Sequence, residues 1–316
     1  MDQCPHPRCS ADDNITCSLG HIKLEQCPEW KKVVKTPTTA QPASDDLALP
    51  WSGFAMGESD LNFVSGRGKP ITVGILGPES SGKTTVLGAL YLLLGRGNLT
   101  PEESQFSNSY TLAGWEAVAN CLRWKPGQAP HFPPHTPSRA GRAPGILHLA
   151  FRRQDGSLRD LLFADAPGEW FQKWAVNQQA ADAEGARWIS RHADVTLLIA
   201  DRHALAGPKM GTARNEFQLL AQRAVTESQG RRLALVWTKG DVDVAPTMEA
   251  QIRKAVGSVD FSVPEFTVSV FKRGEVDAAL GFQKLFSWII ETKRPGMQLP
   301  TSEVAGHDSL FRFGRR

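Results

Sequence analysis

Gly77-Pro78-Glu79-Ser80-Ser81-Gly82-Lys83-Thr84 is the stretch on which the reading of this chain turns. It has the form G-x-x-x-x-G-K-[ST], a loop whose backbone amides cradle phosphate. Its surroundings fit that use. Ile71 to Leu76 (ITVGIL) is a short apolar run rich in β-branched residues, and Thr85 to Leu94 (TVLGALYLLL) reads as a buried helix. The loop thus sits between a strand and a helix N-terminus, where free amides point at an anion. Lys83 would reach the β- and γ-phosphates, and the Thr84 hydroxyl would hold Mg²⁺. Gly77, Ser80, Ser81, Gly82, Lys83, Thr84 and Thr85 form the expected phosphate-binding set. The loop alone names neither the base nor the purpose.

Outward from the loop, the 316 residues allow one large domain and a small appendage. Hydrophobic residues make up 41% and charged residues 22%, enough apolar chain to bury a core. A net charge of +3 gives no argument for nucleic acid or an acidic membrane. No apolar run is long enough to span a bilayer, and the N-terminus lacks a charged-then-apolar leader, so a cytoplasmic protein is expected. Four of the five cysteines, Cys4, Cys9, Cys17 and Cys27, lie in the first 27 residues. In a reducing compartment such clustering points to metal rather than disulfides. Residues 1–30 are too few to bury a core, so four thiolates on one Zn²⁺ would supply the folding energy of a small zinc-ribbon-like module. His6 or His21 would be the substitute ligand if one cysteine were not used.

Residues 31–66 read as a linker, polar and rich in Pro, Thr and Ala, followed by an apron along the next domain. From 67 to 295 strands and helices alternate, which argues an α/β domain with a mainly parallel sheet flanked by helices. The pattern predicts helices over 101–124, 170–191, 212–229, 247–256 and 274–292. It predicts strands over 146–152, 158–165, 195–200, 233–237 and 265–270, with Gln154-Asp155-Gly156-Ser157 as a hairpin turn. On the last helix, Val276, Ala279, Leu280, Leu285, Phe286, Ile289 and Ile290 recur near a 3.6 period and form the apolar face. Residues 125–145 carry too much Pro and Gly for regular structure, and a loop of that length is usually functional. Residues 296–316 read as a loose tail.

Three stretches beyond the loop carry chemistry. Asp165-Ala166-Pro167-Gly168 ends an apolar strand. Its aspartate would face a Mg²⁺-bound water, and Gly168, with no Cβ, would bring its amide to the γ-phosphate. Thr238-Lys239-Gly240-Asp241 follows a buried strand and resembles the [NT]-K-x-D guanine motif of GTPases. The Asp241 carboxylate would accept the guanine N1–H and exocyclic amine, a pair that adenine lacks. Lys239 would lie on the base and Thr238 would brace the phosphate loop. Ser269-Val270-Phe271 ends the next strand, where GTPases offer a backbone amide to the guanine oxygen.

These four ordered stretches make the chain similar to P-loop GTPases of the translation-factor-related class over about residues 70–295. Together with the N-terminal cysteine cluster, the strings GPESSGKTT and D-A-P-G-E most resemble the bacterial double-GTPase families, predicted partners in conflict or defence systems. The resemblance implies GTP and Mg²⁺ as ligands and a protein effector or activator as partner. It also implies a threonine that completes the Mg²⁺ shell, for which Thr136 is the sole candidate between 125 and 145. The position that usually holds Gln or His to orient the attacking water is Glu169 here, and a small-GTPase glycine is replaced by Glu79. A carboxylate accepts from water but does not donate unless protonated, so slow intrinsic hydrolysis is expected, with a partner to accelerate it. Arg139 or Arg142 in the long loop would be the candidate arginine finger. Trp170, Phe171 and Trp174 are either core packing or a partner patch. Two other readings stand beside this one: an ATPase of RecA-like type, which shares the string GPESSGKTT, and a non-hydrolysing scaffold that recruits partners through the zinc module.

Overall fold

The run Ile71–Leu76 forms β1, and every residue of it is buried. Its β-branched side chains suit a strand covered on both faces. The structure, a computed structural model, describes residues 55–99, 104–123, 125–127, 132, 145–228, 230–257, 263–271 and 278–293, all within the unit Pro50–Arg316. Cys4, Cys9, Cys17, Cys27, His6, His21, the linker at 31–50, Thr136, Arg139, Arg142, Val276 and the tail at 296–316 lie outside the described residues.

The short helix α1 (Leu61–Ser65) precedes β1, and α2 (Lys83–Gly95) follows the phosphate-binding loop. Next come β2 (Ser104–Asn108), α3 (Leu112–Asn120), β3 (Gly145–Arg153), β4 (Leu158–Asp165), α4 (Gly168–Val176) and α5 (Glu184–His192). β5 (Val195–Asp201), α6 (Arg202–Ala206), α7 (Met210–Ser228), β6 (Arg232–Thr238), α8 (Pro246–Val256), β7 (Glu265–Thr267) and α9 (Ala278–Ile290) complete the order. The seven strands form one sheet in the order β2-β3-β4-β1-β5-β6-β7. β4, β1, β5, β6 and β7 run parallel, while β2 and β3 pair antiparallel at one edge. This is an α/β fold with a mostly parallel sheet flanked by helices, as the alternation of elements predicts.

Helices cover both faces. On one, α2, α3 and α9 bring Leu87, Leu90, Trp115, Leu285 and Phe286 onto Val73, Ile75 and Phe163. On the other, α4, α5, α7 and α8 pack Phe171, Trp174, Ile189, Phe217 and Ile252 against Leu76, Leu198 and Trp237. A Cβ on Gly74 would lie 2.6 Å from Ile189 Cγ2, so the bare residue lets α5 approach the central strand. Trp170, Phe171 and Trp174 are all buried, which makes them core and removes the partner-patch alternative. Within the apron, Met56 bridges Ile146 and Val64 is buried with it.

Three predicted elements differ. The helix expected over 101–124 is a strand, β2, followed by a shorter helix. β2 lies against β3 with Phe106 edge-on to Phe151. It then stops, because side chains take over the next pairing positions. The Thr111 hydroxyl accepts the His148 N–H at 2.8 Å, and Ser109 Oγ and the Trp115 indole donate to the His148 carbonyl at 2.5 and 2.9 Å. The helix expected over 170–191 is two, α4 and α5. Asn177 is extended (φ −132, ψ 107) and its side chain accepts the Gln179 N–H, while Arg187 donates to the carbonyls of Gln178 and Ala180. On α9, Leu280 is 46% exposed and not part of the apolar face; Ala279, Leu285, Phe286, Ile289 and Ile290 are buried as expected.

Candidate functional site

The carboxyl ends of β1, β4, β5, β6 and β7 meet at one end of the sheet, where parallel α/β folds bind ligands. β1 delivers the phosphate-binding loop. A Cβ on Gly77 would lie 2.8 Å from Ser81 Oγ and 2.9 Å from Ile199 Cβ, so the loop can leave the strand here only without a side chain. Ser80 and Gly82 take left-handed backbone at φ 58 and φ 89. Glycine does so freely, whereas Ser80 holds that conformation against a steric penalty. The Ser81 hydroxyl donates to the Pro78 carbonyl at 2.8 Å and is fully buried, tying the loop to itself.

Lys83 opens α2 with only 6% exposure. Its Nζ donates to the carbonyls of Gly77 and Pro78 at 3.0 and 2.8 Å and lies 5.9 Å from the Phe171 ring centre. Burial pushes its pKa down to about 8, with Asp165 and Glu79 opposing the shift. A bound polyphosphate would restore the charge that burial disfavours. The next residue, Thr84, donates its hydroxyl to Asp165 Oδ2 at 3.0 Å. Two hard oxygen donors are thereby brought together from α2 and the end of β4. Among the described residues, no group of three or more His, Cys, Asp or Glu is arranged to hold a metal. Mg²⁺ held largely by phosphate and water asks for only one or two protein oxygens, so the pair Thr84 and Asp165 fits it.

Gly168, the first residue of α4, presses on the loop. A Cβ there would lie 2.3 Å from the Glu79 nitrogen and 2.6 Å from the Pro78 carbonyl carbon. Only glycine brings the amide end of α4 this close. Glu79 and Glu169 are both exposed and both line the cleft beside it.

β6 and β7 build the other end. The Thr238 hydroxyl, buried, donates to the Ser81 carbonyl at 2.7 Å and so braces the loop as its sequence position suggested. Lys239 takes φ 53, and its Nζ donates to Asp201 Oδ2 at 2.6 Å and to the Ser80 carbonyl at 3.2 Å. Asp241 accepts from Ser269 Oγ at 2.6 Å, and that same oxygen accepts the Phe271 N–H at 3.1 Å. Ser269 was expected through its backbone amide; what the structure shows is its hydroxyl fixing the Asp241 carboxylate. Between the two ends runs a cleft of about 510 Å³, lined by Glu79 to Val86, Gly168, Glu169, Thr238, Lys239, Asp241, Ser269 and Val270. The volume suits a nucleotide-sized ligand.

The model of the family described as Double-GTPase 2 matches residues 71–289, more than half of the chain. The chain belongs to the Double-GTPase 2 family. The match takes in all seven strands and every stretch that carries chemistry in this Double-GTPase domain. No curated protein is similar enough in sequence to be matched.

Three cleft neighbours, Phe132, His203 and Asp201, escaped sequence reasoning, and Phe271 entered it only as the end of the Ser269-Val270-Phe271 stretch. Phe132 and Phe271 meet edge-to-face with ring centres 5.8 Å apart and line the end of the cleft near Asp241. Phe132 sits in a Pro-rich loop with no periodic signal, so nothing local marks it. His203 lines the cleft, and Asp201 grips Lys239 from the end of β5. An aspartate between a buried strand and a helix reads as a plain helix cap, which hid its second contact.

Proposed function

We propose that the chain binds GTP with Mg²⁺ and hydrolyses it slowly, acting as a nucleotide-controlled switch for a protein partner. The observation that carries this reading is the placement of Asp241. Its carboxylate is held by Ser269 at the far end of a cleft whose near end is Lys83 and the loop amides. A fixed acceptor there matches the two donors of guanine and penalises adenine, which leaves the carboxylate unpaired. Family membership supports the same base. Ser80, Ser81, Gly82, Lys83 and Thr85 would bind the phosphates, Gly168 the γ-phosphate, and Thr238, Lys239, Ser269 and Val270 the nucleoside end. Phe132 and Phe271 would shield the base from water.

Thr84, Asp165 and Thr136 would hold Mg²⁺, whose charge would offset that of the phosphate oxygens. Glu169 would accept a hydrogen bond from water but cannot donate one to the departing phosphate while ionised, which supports slow turnover until a partner completes the site. The test is binding of labelled GTP and ATP to the wild type and to Asp241→Asn. Wild type is expected to prefer GTP by at least about 100-fold. Asp241→Asn should shift preference toward xanthine nucleotides. An unchanged base preference in that variant removes the guanine assignment.

A further inference from the structure

Asp241 sits in a turn closed by the Val242 N–H donating to the Lys239 carbonyl at 2.9 Å. Both ends of that turn are gripped from the junction of β5 and α6. Asp201 takes the Lys239 Nζ at 2.6 Å through Oδ2. The very next residue, Arg202, gives its Nε to the Val242 carbonyl at 2.7 Å. Arg202 is itself held. Its Nη2 pairs with Glu249 of α8 at 2.7 Å, and its guanidinium lies 5.5 Å from the centre of the Trp237 ring in β6. Glu249 also pairs with Arg253, and Arg253 with Glu265 of β7, whose other oxygen accepts the Trp237 indole N–H. The chain of charges therefore reaches β7 at Glu265, four residues before the Ser269 that fixes Asp241.

We propose that Asp201 and Arg202 are positioning residues for base selection, holding the Lys239–Val242 turn so that Asp241 meets the base at a fixed place. This rests on the guanine reading given above. Neither residue is part of the cleft lining itself. The reason for the grip is in the backbone. Lys239 occupies φ 53, a conformation that a residue with a side chain keeps only when its surroundings over-determine it. Asp201 is well placed for this. It is 10% exposed, so its pairing with Lys239 is screened less than a surface ion pair. Its Oδ1 meanwhile accepts the N–H groups of His203 and Ala204 at 2.9 and 3.2 Å, capping α6. The two oxygens divide the work: one anchors Asp201 to its own helix and the other reaches across to Lys239.

That division makes the inference testable, because Asp201→Asn keeps an oxygen for the cap and loses the acceptor for Lys239. The full chain is loaded with GDP carrying a ribose-linked fluorophore, and release is timed. Asp201→Asn should release it about ten-fold faster, the loss of one charge-assisted bond. Its thermal midpoint without nucleotide should stay within about 2 °C of wild type. Arg202→Lys, which keeps the Glu249 pair but gives up the Val242 bond, should also release faster and lose part of the GTP-over-ATP preference. The double variant Asp201→Asn/Lys239→Ala should release no faster than Lys239→Ala alone, since Asp201 acts through Lys239. Wild-type release from both Asp201→Asn and Arg202→Lys, with Asp241→Asn still shifted to xanthine nucleotides, overturns the positioning role and leaves the guanine reading standing. Effects of Asp201→Asn and Lys239→Ala that simply add also overturn it. No shift in Asp241→Asn overturns the guanine reading and this inference with it.

Discussion

Lys83 carries a burden that only a ligand relieves. It is nearly buried, its ammonium rests on two backbone carbonyls, and burial pushes its pKa from the ordinary lysine value of 10.5 down to about 8. The unfolded chain therefore binds more protons than the folded one between those values, so folded stability rises with pH across that window. At pH 7 the charged side chain costs the empty site roughly 3 kcal/mol. Lys83→Met should thus raise the thermal midpoint of the nucleotide-free chain near pH 7. It should also flatten the gain in stability that wild type shows from about pH 8 upward. GTP binding should fall below detection in the same variant. Thermal denaturation across pH, beside a nucleotide titration, checks all three; a Lys83→Met protein less stable than wild type when empty contradicts the account. At this scale the sequence was informative. Thr238 braces the phosphate loop as its motif position implied, and Lys83, Thr84 and Asp165 come together beside that loop.

Elements were legible where the signal is local. β1, the loop and α2 follow from a β-branched run, glycines and a long apolar stretch, and so does the hairpin of β3 and β4 with its turn at Gly156. β2 was not legible, because Ser104-Gln105-Phe106-Ser107-Asn108 is polar and mostly exposed at a sheet edge and carries no alternation. What makes it a strand is β3 beside it, and what ends it is the ring of side chains around the His148 peptide. Thr111 holds the key acceptor there at 1% exposure. Thr111→Val keeps the shape and strands the His148 N–H, so it should destabilise the chain by about 1–3 kcal/mol. Urea unfolding measures the loss, and the GTP-over-ATP preference should not move. A loss near zero would mean that the His148 amide finds another partner. The break between α4 and α5 is of the same kind. Ala, Glu and Trp around it favour helix, but Arg187 locks the carbonyls of Gln178 and Ala180 into a turn.

For the molecule as a whole, no helix among the described residues is long and apolar enough to cross a membrane. Its sheet gathers residues from five strand ends into one cleft. The four N-terminal cysteines lie outside the described residues, and we propose that they hold zinc. Metal analysis of the full chain should find one zinc per chain, lost in Cys9→Ser; a metal-free wild type would remove the module. Some of the molecule was determined by sequence alone. The phosphate loop, its flanking elements and the stretches Asp165–Gly168, Thr238–Asp241 and Ser269–Phe271 are short-range patterns, since a loop that wraps phosphate needs its glycines and its lysine at fixed spacing. The α/β class followed from the order of those patterns. Tertiary structure decided the rest. Strand order, the ring contact of Phe132 with Phe271, and the grip of Asp201 and Arg202 on the turn that carries Asp241 all join residues far apart in the chain. No local propensity encodes such contacts, because they exist only once burial has brought β5, β6 and Phe132 to the same end of the sheet.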